Sequence, residues 1–137
     1  MLGRLLNRGP LVAETTASEL AREIHEGTSL QIVDVRELDE WHGGRIPGSI
    51  HIPLGQLEGH KALPTNKTLP LLLMCPSGAR AGRAAALLRK AGYEKATAVA
   101  GGTGAWREAS LPIEKGAATG ADKGADKGAG KGAGKGS

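Results

Sequence analysis

A chain of 137 residues has room for one domain and a tail, and is too short for two cores of ordinary size. Its formal charge of +4 includes four Lys and two Asp in the last stretch, Gly116 to Ser137, so residues 1–115 carry only +2. That near-neutral body, with only Trp41, Tyr93 and Trp106 to stack on bases, argues against a nucleic-acid binder. A single cysteine excludes an internal disulfide framework and a cysteine-based zinc site.

Residues 1–13 form a basic arm without the continuous apolar stretch of a secretory signal, and no run in the chain is long enough to span a bilayer. A soluble protein of a reducing compartment, the cytoplasm, is the expectation, with no membrane partner. Thr16-Ala17-Ser18-Glu19 has the form of a capping box ahead of Leu20 and Ile24, which predicts a short amphipathic helix stopped by Gly27. Leu30 to Val35 is rich in β-branched residues and reads as a strand buried on both faces. A polar segment, Arg36 to Gly44, surrounds Trp41 and is expected to make a helical turn. Ile46-Pro47-Gly48-Ser49 turns into a very short strand, Ile50-His51-Ile52. A weak helix is expected over 54–63.

Leu69 to Met74 is the second strong strand, with Pro70 near its start, where a missing N–H is tolerated. The segment from Arg80 to Ala91 is a helix with Gly92 as its C′ residue, and Ala96 to Ala100 is a third strand. Gly101-Gly102 turns into a short helix carrying Trp106, and Leu111-Pro112-Ile113 closes the domain at residue 115. The tail, 116–137, repeats Gly-Ala-Asp-Lys and Gly-Ala-Gly-Lys with nothing larger than Ala to bury, so disorder is expected. The four histidines, His25, His42, His51 and His60, show no metal-ligand spacing and read as surface residues. No metal site is expected. Gly101-Gly102-Thr103-Gly104 lacks the spacing of a dinucleotide fingerprint. Strands alternating with helices give an α/β domain with a mainly parallel central sheet flanked by helices.

Cys75-Pro76-Ser77-Gly78-Ala79-Arg80 joins the second strand to the most regular helix. A lone cysteine after apolar residues is ordinarily a small core hydrophobe. A core strand, however, has no use for Pro, Ser, Gly and Arg directly after it, whereas an anion cradle does. Backbone N–H groups of such a turn, the positive end of the helix and the Arg fork favour a negatively charged sulfur. Cys75 is therefore read as a nucleophile. In parallel sheets ligands bind at the carboxyl ends of the strands, where both Asp34 and Cys75 fall. Asp34 is read as structural support that hydrogen-bonds backbone N–H groups. Arg36 either lines the site or pairs with Glu37 or Glu40 on the surface. Trp41 and Trp106 are read as packing anchors.

Several segments taken together resemble the single-domain rhodaneses, which are sulfurtransferases. They are Asp34-Val35-Arg36-Glu37 with Glu40-Trp41, then Gly44-Arg45-Ile46-Pro47-Gly48-Ser49-Ile50, the Cys75 loop, Gly92-Tyr93, and Gly101-Gly102 with Ala105-Trp106. They come in the family's order over about residues 14 to 113. The resemblance implies a three-layer rhodanese-like domain over 14–115. It implies that Cys75 takes a sulfane sulfur from a donor such as thiosulfate, then passes it from the persulfide to cyanide or a thiol. The amides of Ser77, Gly78, Ala79 and Arg80 would cradle the anion, and the Arg80 guanidinium would hold the loop or the donor's sulfonate. The chain is then expected to work as a monomer without cofactor, on small-molecule donors and acceptors or on a protein persulfide. The same resemblance admits a catalytically weak binding or persulfide-relay module.

Cysteine phosphatases space Cys and Arg as C-x₅-R, and the C-x₄-R spacing here puts Ala81 at that Arg position. The chain departs from the family in three places. Pro76 stands where many loops carry a basic residue, Ala81 where Ser is common, and Arg45 where the Gly-His-Ile-Pro-Gly pattern has His. Arg45 is read as a solvated charge.

Overall fold

The computed structural model describes residues 14–116; the expected arm, 1–13, and the tail from 117 onward lie outside them. Five strands, β1 (Glu14–Thr15), β2 (Gln31–Asp34), β3 (Ile50–His51), β4 (Leu71–Met74) and β5 (Ala96–Val99), form one sheet. Their order is β1-β5-β4-β2-β3, and every neighbouring pair is parallel. The helices are α1 (Ala17–His25), α2 (Leu38–His42), α3 (Ala79–Lys90) and α4 (Gly102–Glu108).

Both faces of the sheet are apolar because successive side chains of a strand point to opposite sides. Val33, Leu71, Leu73, Ala96 and Ala98 share one core with Ala81, Ala84, Ala85 and Leu88 of α3. Ile32, Leu72, Met74 and Val99 share the other with Ala17 and Leu20 of α1 and Trp106 of α4. The result is the expected α/β arrangement, a parallel sheet between two helical layers.

Local chemistry sets the ends of the helices. Thr16 caps α1 by accepting the Glu19 N–H at 3.1 Å, and Gly27 ends it at φ +79°. α3 starts at Gly78 (φ +106°) and stops before Gly92 (φ +106°). The helix expected over 54–63 shrinks to a 3₁₀ turn, Leu54–Gln56, because Gly59 adopts φ +70° and Gly55 weakens the rest. β1 carries no sequence signal of its own and exists through its pairing with β5.

The topology places the site. β3 lies outside β2 and β5 lies outside β4, so the chain leaves the central pair in opposite directions. A crevice opens at such a switch point, beyond the carboxyl ends of the strands. There Asp34 stands in register with Met74, and the Val35 N–H donates to Met74 O at 2.9 Å. Cys75 is the next residue. No helix among the described residues is long and apolar enough to cross a membrane.

Candidate active site

β4 delivers Cys75 into a tight turn that leads directly into α3. Sγ accepts two backbone hydrogen bonds, from the Gly78 N–H at 2.9 Å and the Ala81 N–H at 3.3 Å. Gly78 is required here: at φ +106° a Cβ would stand 3.3 Å from the backbone nitrogen of Gly101. The first turn of α4 holds the loop from the other side. Thr103 N–H donates to Cys75 O at 2.9 Å and Gly104 N–H to Pro76 O at 3.2 Å. That approach needs Gly102, where a Cβ would fall 1.9 Å from Cys75 O.

Of the cradle expected from the sequence, the Gly78 amide points at the sulfur. The amides of Ser77, Ala79 and Arg80 have no backbone acceptor among the described residues. The Ala81 N–H was not foreseen, although the first N–H groups of a helix always lack an intrahelical acceptor and so mark such a donor. Cys75 itself is 1% exposed and packs with Val35, Leu73 and Ala81. Both donors on the sulfur are backbone N–H groups, and no side-chain cation among the described residues is bonded to it.

The charged groups around the loop are paired. Asp34, fully buried, takes the Arg36 guanidinium in a fork, Nε on Oδ1 and Nη2 on Oδ2, both at 2.8 Å. It also accepts the Arg36 N–H at 3.1 Å, the backbone role expected of it. Arg36 neither pairs with Glu37 or Glu40 nor points to solvent; its remaining contact is Gly44 O at 2.7 Å. Its burial follows from the satisfied fork, since a buried guanidinium needs every charge-assisted bond it can make.

Arg80 reaches Glu40 instead, at 3.5 Å from Nη1 to Oε1 and 3.4 Å from Nη2 to Oε2. Glu40 is anchored from its own helix as well, since Oε1 accepts the Glu37 N–H at 2.9 Å. That N–H, together with the Arg80 guanidinium, holds the Glu40 carboxyl below its ordinary value, against the opposite push of partial burial.

Two sequence readings need correction. Arg45 is not a solvated charge: it is buried, lies 4.0 Å over the Trp41 ring, and donates to Trp41 O at 3.2 Å and Gly116 O at 2.8 Å. Gly116, the first residue of the expected tail, also donates to His42 O at 2.8 Å. His51 is not on the surface. It stacks on Trp41, ring centroids 5.3 Å apart, and its Nε2 lies 2.8 Å from Arg36 O. Sequence alone could not place these two, because only the folded chain brings the Arg45 and His51 side chains onto the buried Trp41 ring. Trp41 and Trp106 are buried packing anchors as read. No group of three or more His, Cys, Asp or Glu that could hold a metal occurs among the described residues.

The comparisons with known proteins agree with this geometry. The family described as rhodanese-like domain matches residues 16–109. The candidate sulfur carrier protein YrkF of Bacillus subtilis is 34% identical over 95 residues, covering 69% of this chain and 51% of that protein. A sulfurtransferase of Allochromatium vinosum is 29% identical over 103 residues, covering 75% of this chain and 95% of its own. The crystal structure of a thiosulfate sulfurtransferase from Pseudomonas aeruginosa superposes with a TM-score of 0.71 at 25% identity, over 77% of this chain and 21% of that one. The chain spans between 51% and 60% of the length of YrkF and two further curated relatives. A parallel sheet whose switch point presents a cysteine to backbone amides, together with these matches, makes the chain a member of the rhodanese-like domain family.

Proposed function

We propose that the protein is a sulfurtransferase in which Cys75 carries the sulfur as a persulfide. The Cys75 thiolate attacks the outer, sulfane sulfur of a donor such as thiosulfate. The donor's S–S bond breaks, sulfite leaves with the electron pair, and the sulfur stays on Cys75. In the second half the carbon of cyanide, or a thiolate, attacks the terminal sulfur and releases the Cys75 thiolate. One difficult transfer is thereby divided into two displacements, each with a charged sulfur at its centre. The observation that carries the reading is the pair of N–H groups on Sγ, from Gly78 and Ala81. Preorganised donors of this kind act on charge without reorganising during the reaction.

In this reading the amides of Ser77, Ala79 and Arg80 receive the donor's anionic end, Asp34 and Arg36 brace the loop's neighbour strand, and no organic cofactor or metal takes part. A small molecule or a protein persulfide supplies the sulfur, and the protein works as a monomer in a reducing compartment such as the cytoplasm. The test is Cys75→Ser: transfer from thiosulfate to cyanide should disappear while the thermal transition stays within a few degrees. Full activity in that variant would sink the proposal.

A second reading is favoured by one observation, the 1% exposure of Cys75. A module that presents the loop to a partner protein has no need of an accessible thiol. Iodoacetamide separates the two: a working nucleophile reacts within minutes near neutral pH, and a packed structural thiol reacts only on unfolding.

A further inference from the structure

Resting on the sulfurtransferase reading, we propose that Glu40 sets the charge of the sulfur donor by occupying Arg80, so that the site favours singly charged donors, persulfides of alkyl or protein thiols, over doubly charged thiosulfate. Three observations meet at the loop. Arg80, which closes it, has both terminal nitrogens turned to the Glu40 carboxylate at 3.4 and 3.5 Å. That carboxylate does not depend on Arg80 for its place, because the N–H of Glu37, the N-cap of α2, holds Oε1 at 2.9 Å. The other guanidinium nearby, Arg36, is neutralised by Asp34, and Pro76 brings neither charge nor N–H.

An incoming donor therefore meets backbone amides and a compensated cation. The Glu40 and Arg80 side chains are 35% and 29% exposed, so the pair meets solvent rather than lying in the core. The attraction that the occupied Arg80 withholds scales with the donor's charge, so a dianion forgoes twice what a monoanion does. With either donor the Cys75 thiolate forms a bond to the sulfane sulfur. Sulfite departs with the electron pair from thiosulfate, and a thiolate departs from a persulfide.

The experiment compares kcat/KM for thiosulfate, a dianion, with that for benzenethiosulfonate, a monoanion with a related sulfonyl end, using cyanide as acceptor. Wild type, Glu40→Gln, Arg80→Ala and the double variant are measured. Glutamine keeps an acceptor for the Glu37 N–H, so the cap of α2 survives. The ratio of thiosulfate to benzenethiosulfonate efficiency should rise about 3- to 10-fold in Glu40→Gln, and far less when the same change is made on Arg80→Ala. An unchanged ratio would overturn the proposal, and so would an equal rise in the Arg80→Ala background, which would mean that Glu40 acts on the donor directly. If neither donor nor a low-molecular-weight persulfide leaves a sulfur on Cys75, the sulfurtransferase reading falls and takes the inference with it. If both donors do so at an unchanged ratio, the inference falls alone.

Discussion

Gly102 is the position where the smallest change should have the largest effect on the loop. An alanine methyl there would stand 1.9 Å from Cys75 O, 2.9 Å from Cys75 C and 2.8 Å from Pro76 C. These are backbone atoms, so no side chain can swing aside. To reach an ordinary contact, the loop and the head of α4 must part by roughly 1 Å or more. The bonds from Thr103 N–H to Cys75 O and Gly104 N–H to Pro76 O lie on that seam, and both would be lost or lengthened. An alanine at φ +54° also adds backbone strain. Strain of about 1–2 kcal/mol and overpacking of about 1–3 kcal/mol together give a destabilisation of about 2–5 kcal/mol.

The chemical consequence is separate from the stability loss. When Cys75 moves, Sγ leaves the Gly78 and Ala81 amides, and each hydrogen bond to a charged group contributes about 1.5–3 kcal/mol. Loss of one such bond corresponds to about tenfold or more in the rate of sulfur loading. The assay is urea unfolding alongside kcat/KM for sulfur transfer, with Gly104→Ala as the control. A methyl at Gly104 would sit 3.4 Å from Pro76 O, an ordinary contact, and should leave both readings near wild type. A Gly102→Ala protein with wild-type stability and wild-type rate would refute the idea that α4 holds the loop in its working shape.

Two further outcomes follow from the charged groups. Arg36→Ala leaves the Asp34 carboxylate buried without its fork and should cost about 3–5 kcal/mol in urea unfolding; a loss below 1 kcal/mol would mean that the pair is not what braces the end of β2. The Glu40 carboxyl titrates below its ordinary value of 4.5 in the folded chain, so its contribution to stability is fully present above that value and disappears as pH falls through the lowered one. Wild type should therefore exceed Glu40→Gln in unfolding midpoint at neutral pH and lose that advantage as the Glu40 carboxyl protonates in acid; a gap that widened on acidification would contradict the assignment.

Much of the fold was legible because its signals are local. Short apolar strands, Thr16 as a cap, and Gly27 and Gly92 as stops are each read within a few residues. The place of Cys75 in the fold was legible for the same reason: a strand, a glycine turn and a helix follow one another without interruption. What escaped the sequence depends on contacts that only the folded chain makes. β1 is two residues that exist only against β5, and Gly102 matters only because Cys75 O comes to it from the loop after β4. Arg45 and His51 look like surface residues until the Trp41 ring gathers them. The fork between Arg36 and Asp34 is close in sequence, yet Arg36 had charged neighbours on both sides, and only burial decided among them.

The central claim, that Cys75 carries sulfur, is tested most directly by intact-mass measurement of the reduced protein after brief exposure to thiosulfate, with Cys75→Ser alongside. The account predicts a gain of one sulfur atom in the wild type, absent from the variant and removed by cyanide. If thiosulfate and a low-molecular-weight persulfide both leave the mass unchanged, Cys75 is a packed thiol in a binding module and the account is contradicted.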